Sequence, residues 1–171
     1  MFYGFGVNDD KANSVVARKP TPAYRCWYAM LYRCYSGKKP QYADCVVCDE
    51  WRSFKAFREW FEAHHKDGWE LDKDILGNGL LYSPQTCVFV PKALNQFLTC
   101  TDGGKSKGAT PGTFQSRIWK NGRRKSLGTF ASKEEASAAW RAAKRQQIFD
   151  RRAELDEIDP RLFDALLLKI A

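Results

Sequence analysis

The sequence predicts an α+β protein of two modules followed by a C-terminal helix. The first module is helical and ends in a strand–turn–strand–helix unit. The second is small and basic, with a short antiparallel sheet packed on one helix. Three observations carry this reading. Aromatic residues recur at helical spacing twice, as Tyr24, Trp27, Tyr28 with Leu31 and Cys34, then as Trp51, Phe54, Phe57, Trp60 and Phe61. Asn121-Gly122 separates two alternating runs, the strongest short-range hairpin signal. Charge is segregated: between residues 105 and 152, thirteen Lys and Arg stand against three acids, a net +10 against +8 for the whole chain. The remainder is therefore slightly negative.

In chain order, residues 1–20 are mixed in character and read as irregular, ending in the breaker Lys19-Pro20-Thr21-Pro22. Thr21 as N-cap with Pro22 at the first helical position opens a helix to about residue 35. A loop over 36–41 and a short extended piece at Val46-Val47 precede a second helix over about 50–64. Its aromatic stripe reads as core. Extended runs at 69–76 and 86–91 flank the turn Gly77-Asn78-Gly79, and a helix over about 92–99 closes the module at 21–99. The polar stretch CTDGGKSK, 100–107, reads as a linker. The basic module spans 108–152, with strands near 112–119 and 125–130. Ser132 then opens a helix, and Glu135 completes a capping box. The tail, 153–171, holds an apolar helix after Asp159-Pro160. It packs back on the body or makes a dimer contact, and packing is the favoured reading.

Six cysteines and no export signal point to thiols or metal ligands rather than disulfides. Only Cys45 and Cys48 have zinc-ligand spacing. Cys87, Cys100, His64 and His65 are scattered in sequence, so buried thiols are favoured over zinc. There is no 18-residue apolar run and no signal-peptide pattern, so the chain is expected to stay in the cytoplasm.

Alternation sorts the basic hairpin into two faces. Phe114, Ser116, Ile118 and Leu127 form an inner set that can pack on Ala136, Ala139, Trp140 and Ala143. Gln115, Arg117 and Trp119, with Arg124 and Ser126, form an outer set. Such a sheet can enter a major groove, where Arg bonds guanine edges, Gln adenine edges, and Trp packs on sugar or a thymine methyl. Lys105, Lys107, Lys120, Arg123 and Lys125 are expected to position phosphates. The partner implied is double-stranded DNA.

The stretch GTFQSRIWKNGRRKSLGTFASKEEASAAWRAAKR resembles the AP2-type DNA-binding domain through its G-x-F…R-I…N-G…L-G-T-F…E-E-A…A-A pattern. That resemblance covers about 40 residues. It implies a three-stranded sheet in the major groove with a helix behind, and puts Gln115, Arg117, Trp119, Arg124 and Ser126 on DNA-facing strand sites. The family's first strand falls at Ala109-Thr110-Pro111, which lacks the usual basic residues.

The stretch WELDKDILGNGLLYSPQTCVFVPKALN, 69–95, resembles the strand–turn–strand–helix core of phage HNH-like homing-type endonucleases. The preceding W-x-x-M-L-x-R-C, from Trp27 to Cys34, does so too. Such proteins often carry an AP2-like reader after the nuclease module. The resemblance implies a phosphodiester hydrolase using Mg2+ or Mn2+, with Asp72, Asp74 and Asn95 around the metal and Asn78 as a weaker loop match. Lys73 stands where the family has its histidine base. A lysine is charged at neutral pH unless desolvated, so a basic role requires a depressed pKa. His64 and His65 lie just upstream.

Three functions follow from these residues. One is a metal-dependent DNA endonuclease targeted by the C-terminal module. Another is a non-catalytic DNA-binding descendant, such as a phage regulator or counter-defence factor. A third is an RNA-binding module, which shares the basic, aromatic-rich signature.

Overall fold

The computed structural model describes residues 1–99, 106–107, 110–120 and 122–170. The chain forms two compact α+β units, Met1–Lys92 and Ala93–Ala171. The division falls ahead of the 100–107 stretch, which lies largely outside the described residues.

The first unit begins with structure that composition did not announce. Strands β1 (Val15–Val16) and β2 (Lys19–Pro20) pair antiparallel. Ala17 and Arg18 turn between them with φ of 48° and 63°. Both sit in the left-handed region that glycine and asparagine usually mark, and neither is present here. The hairpin is held at its base by the Thr21 amide, which donates to Ser14 O at 3.0 Å.

Helix α1 (Pro22–Tyr35) starts as its capping chemistry requires, with the Thr21 hydroxyl accepting the Tyr24 amide. The second helix is shorter than expected. A 3-10 turn, Asp49–Arg52, precedes Ser53, and α2 is Phe54–His64. Ser53 caps α2 through the Ala56 amide, and its own hydroxyl donates to Asp9 Oδ2 at 2.7 Å. A cap needs extended backbone, so the helix cannot run through Ser53. Trp27, Met30, Leu31, Trp51, Phe54 and Phe57 form the fully buried centre, and Trp27 Nε1 donates to Trp51 O at 2.8 Å. The second aromatic stripe is core as expected, whereas in the first Trp27 and Leu31 are buried and Tyr28 is exposed.

Strand β3 (Val46–Val47) pairs parallel with β5 (Leu81–Tyr82), while β4 (Trp69–Asp72) pairs antiparallel with β6 (Val88–Pro91). The expected extended run to residue 76 therefore stops at Asp72. Helix α3 (Lys92–Thr99) starts at the division between the units.

In the second unit, β7 (Ser106–Lys107), β8 (Phe114–Lys120) and β9 (Arg123–Phe130) form a three-stranded antiparallel sheet. The edge strand precedes the Ala109-Thr110-Pro111 position assigned from the family pattern. Proline has no amide to donate to a ladder, and Thr110 O instead accepts both the amide and the hydroxyl of Thr113. The hairpin closes on the pair Lys120 and Arg123; Asn121 lies outside the described residues. Helix α4 (Lys133–Asp150) carries the expected capping box between Ser132 and Glu135.

Helices α5 (Arg152–Ile158) and α6 (Leu162–Lys169) follow. The tail packs back: Leu162, Phe163 and Leu166 are buried, and Phe163 meets Phe149 edge-on at 5.2 Å. Among the described residues, no helix is long and apolar enough to cross a membrane.

Gly6 shows how tightly the amino-terminal segment is laid on α1. A Cβ there would overlap Leu31 Cδ1 and sit 2.9 Å from Trp27 Cζ2. Because both neighbours are fully buried, Gly6→Ala should destabilise the chain by about 1–3 kcal/mol. Thermal unfolding should show the loss, and a melting temperature equal to the parent's would contradict this packing.

Candidate nucleic-acid interface and the 72–74 turn

The second unit presents a two-sided sheet. Ser116 and Ile118 are buried on the side that packs against α4, where Ala136, Trp140 and Ile148 are also buried. Cross-strand register then sets the other side: Gln115 opposes Thr129, Arg117 opposes Ser126, and Trp119 opposes Arg124. A bulge puts Leu127 between the Ser116–Gly128 and Arg117–Ser126 pairs. It shifts β9 by one residue, so Thr129 joins the same face as Ser126 and Arg124. Trp119 is 47% exposed, and the Arg124 guanidinium lies 5.6 Å from its ring centroid. Arg117 Nη2 donates to Gln115 Oε1 at 2.5 Å. Both guanidinium planes are thus oriented by neighbours on the same face.

Register separates the other basic residues from this face. Lys120 opposes Arg123 and Lys125 opposes Ile118, so all three belong to the α4-facing parity, at the hairpin end where they are exposed. None of Arg117, Lys120, Arg123, Arg124 and Lys125 forms an ion pair among the described residues. Not every cation of the basic segment is available to a partner. Lys144 is buried; its Nζ donates to Phe97 O on α3 and sits 3.4 Å from the Phe97 ring centroid. Arg151 and Arg152 pair with Glu154 and Asp156.

In the first unit, Asp72 ends β4 and turns the chain. Its Oδ1 accepts the amides of Asp74 and Ile75, each at 2.8 Å, which is why the strand stops there. Burial raises the Asp72 pKa, against those two amide bonds that lower it. The same turn directs Lys73 inward, where it is only 7% exposed. Lys73 Nζ donates to Asp74 Oδ1 at 2.6 Å and lies 5.3 and 5.6 Å from the Tyr42 and Tyr82 ring centroids. Burial pulls its pKa down, but the hydrogen bond and charge of Asp74 outweigh that, and the ammonium ends above the ordinary lysine value. The depressed pKa that a basic role requires is absent.

The residues that the sequence suggested as metal ligands are placed as follows. Asp72 Oδ1 is turned to the backbone, and an ammonium already occupies the near side of Asp74, where a second cation would be repelled. Asn95 belongs to the second unit, on α3. Asn78 Oδ1 accepts the Leu80 amide within its own loop. His64 stacks on Trp60 and His65 on Phe61, with centroids 4.7 and 4.3 Å apart. Cys45 Sγ donates to Gly79 O, and Cys48 is a free thiol. Among the described residues, no group of three or more His, Cys, Asp or Glu is gathered as a metal ion would require.

Two features escaped the sequence reading. One is the burial of Lys73 between two tyrosines. The other is Arg33, inside the W-x-x-M-L-x-R-C stretch, whose guanidinium lies 5.9 Å from the Tyr42 ring centroid. Arg33 stands in the quoted motif, but nothing in its spacing specifies a partner.

The chain matches no family model, no curated protein and no solved structure.

The turn makes a specific demand on Asp72. A carboxyl whose folded pKa is raised costs stability as pH climbs from its unfolded value through the folded one. Asp72→Asn keeps an acceptor for both amides and removes that cost, so it should match or exceed the parent's melting temperature at pH 7. Asp72→Ala removes the acceptor and should lose about 1–3 kcal/mol. An asparagine variant as unstable as the alanine variant would defeat the capping role.

Proposed function

We propose that this chain is a double-stranded-DNA-binding protein whose β7–β8–β9 sheet reads base edges in the major groove. The observation that carries this is the register of β8 and β9, which gathers Gln115, Arg117, Trp119, Arg124 and Ser126 on the face away from α4. Arg117 and Arg124 supply bidentate donors for guanine edges, Gln115 suits adenine, and Trp119 offers apolar area to a sugar or thymine methyl. Lys120, Arg123 and Lys125, at the hairpin end and off the reading face, suit the flanking phosphates. The AP2-like pattern in the sequence agrees with this assignment of faces. A-form RNA keeps its major groove too narrow for such a sheet, which favours DNA as the partner.

The first unit is read as an HNH-like scaffold that does not cut. The ammonium of Lys73 at 2.6 Å from Asp74 Oδ1, charged at neutral pH, supports that form over the hydrolytic one. An endonuclease would need Mg2+ or Mn2+ held by Asp72, Asp74 and Asn95 and a base other than Lys73.

Selection from a randomised duplex library should return a sequence-specific, salt-sensitive complex, with no strand cut in Mg2+ or Mn2+. Arg117→Ala should cost about 1–3 kcal/mol and relax preference at one position. Lys125→Ala should weaken all sequences alike and lower the salt slope by about 1. Binding that survives Arg117→Ala with Trp119→Ala, or that is competed equally by duplex RNA, would overturn the reading. Cleavage abolished by Asp72→Asn would overturn its non-hydrolytic form.

A further inference from the structure

Within the first unit, Arg33, Tyr42, Lys73, Asp74 and Tyr82 form a cluster that the sheet does not explain. The Arg33 and Lys73 head groups lie within 6 Å of the same Tyr42 ring, at 5.9 and 5.3 Å from its centroid. Lys73 also lies 5.6 Å from the Tyr82 ring centroid, and the Arg33 charge acts on the same Tyr82 phenol. Two cations are therefore drawn to one pair of phenols. The charge balance is uneven. Asp74 is the acid paired with Lys73, whereas Arg33 has no carboxylate partner among the described residues. An arginine keeps its charge at any ordinary pH, so the cluster carries one cation in excess at a half-buried position. The Asp74 side chain is 66% exposed and can move off Lys73 into water.

We propose that this cluster is a phosphate-binding site, in which a phosphate group bridges the Arg33 guanidinium and the Lys73 ammonium and takes the place of the Asp74 carboxylate. A phosphate suits the donors: Arg33 offers a planar fork and Lys73 a point charge. The phosphate belongs either to a nucleic-acid backbone or to a small phosphorylated molecule. The first source rests on the DNA-binding reading above; the second does not.

The full chain tests this directly with inorganic phosphate, compared with chloride at equal ionic strength. Phosphate at about ten times its dissociation constant should raise the parent's melting temperature by about 3 °C over chloride. Asp74→Asn removes the competing anion and should bind phosphate more tightly than the parent, a gain that misfolding cannot mimic. Arg33→Gln should abolish the phosphate-specific rise. Equal melting temperatures in phosphate and chloride for the parent and Asp74→Asn would overturn the site. So would a rise that persists in Arg33→Gln.

The source is separated by the salt dependence of duplex binding. A slope lowered by about 1 in Arg33→Gln assigns a backbone phosphate. An unchanged slope alongside the phosphate-specific rise assigns a free phosphorylated molecule. A parent that binds no duplex would sink the DNA reading while the inorganic-phosphate arm still decides this one.

Discussion

The second unit depends on one constraint: β8 can bury only one of its two faces. Once Ser116 and Ile118 are spent against α4, the residues between them must face away. That leaves Gln115, Arg117 and Trp119 on an open surface, and the antiparallel register brings Arg124 and Ser126 beside them. The bulge at Leu127 matters because strict alternation would return Thr129 to the helix side. With it, the open face continues along the full length of the pair. Ala136 in the α4 seam lets helix and sheet approach closely. The outward face is thus a consequence of packing on its reverse.

A comparable local constraint governs the first unit. Asp72 stands where the chain reverses, and its Oδ1 accepts the two amides that the turn presents. Accepting them ends β4, sends Lys73 inward and leaves Asp74 on the surface. Gly79 follows from the same geometry. Its φ of +81° lies in the left-handed region that favours glycine, and a Cβ there would lie 2.6 Å from Asp74 Oδ1 as it stands in the ion pair. Of three consecutive residues with catalytic-looking chemistry, Asp72 is the one that holds the turn. Residue type and spacing cannot distinguish that use from metal binding, because both require oxygen acceptors close together.

The features legible in the sequence were those whose physics is local. Thr21-Pro22 and the Ser132–Glu135 pair specify helix starts within four residues, and the structure has both. Hairpin alternation specified the inner and outer faces of the sheet. What escaped depends on partners far along the chain. Val46-Val47 was recognisably extended, but its parallel partner at Leu81-Tyr82 lies across two other elements. Lys144 falls on the same helical stripe as Trp140 and Ile148, yet its charge argues for solvent; the carbonyl that accepts it, Phe97 O, is 47 residues away. The Ala17-Arg18 turn lacks the glycine or asparagine that advertises a left-handed pair, and is held instead by Thr21 beyond the strands. Ser53 was hidden because the aromatic stripe continues in phase across it.

The distribution of charge gives the two proposed anion sites different characters. The basic segment carries +10 while the rest of the chain is slightly negative. A polyanion approaching the second unit is drawn by a summed field from several unpaired cations, an effect that salt weakens. The first unit is far less charged, with 13 Lys and Arg against 11 acids over residues 1–92. A phosphate held at Arg33 would act over contact distance, through a guanidinium with no acidic partner among the described residues and an ammonium set near two phenols. Aromatic walls favour this arrangement, since they lower the local dielectric without competing for the cations as a carboxylate would. On the two proposals, long-range capture would fall to the second unit and short-range grip to the first. On that reading the first unit, without cleavage chemistry, would still add to binding through the cluster around Tyr42 and Tyr82.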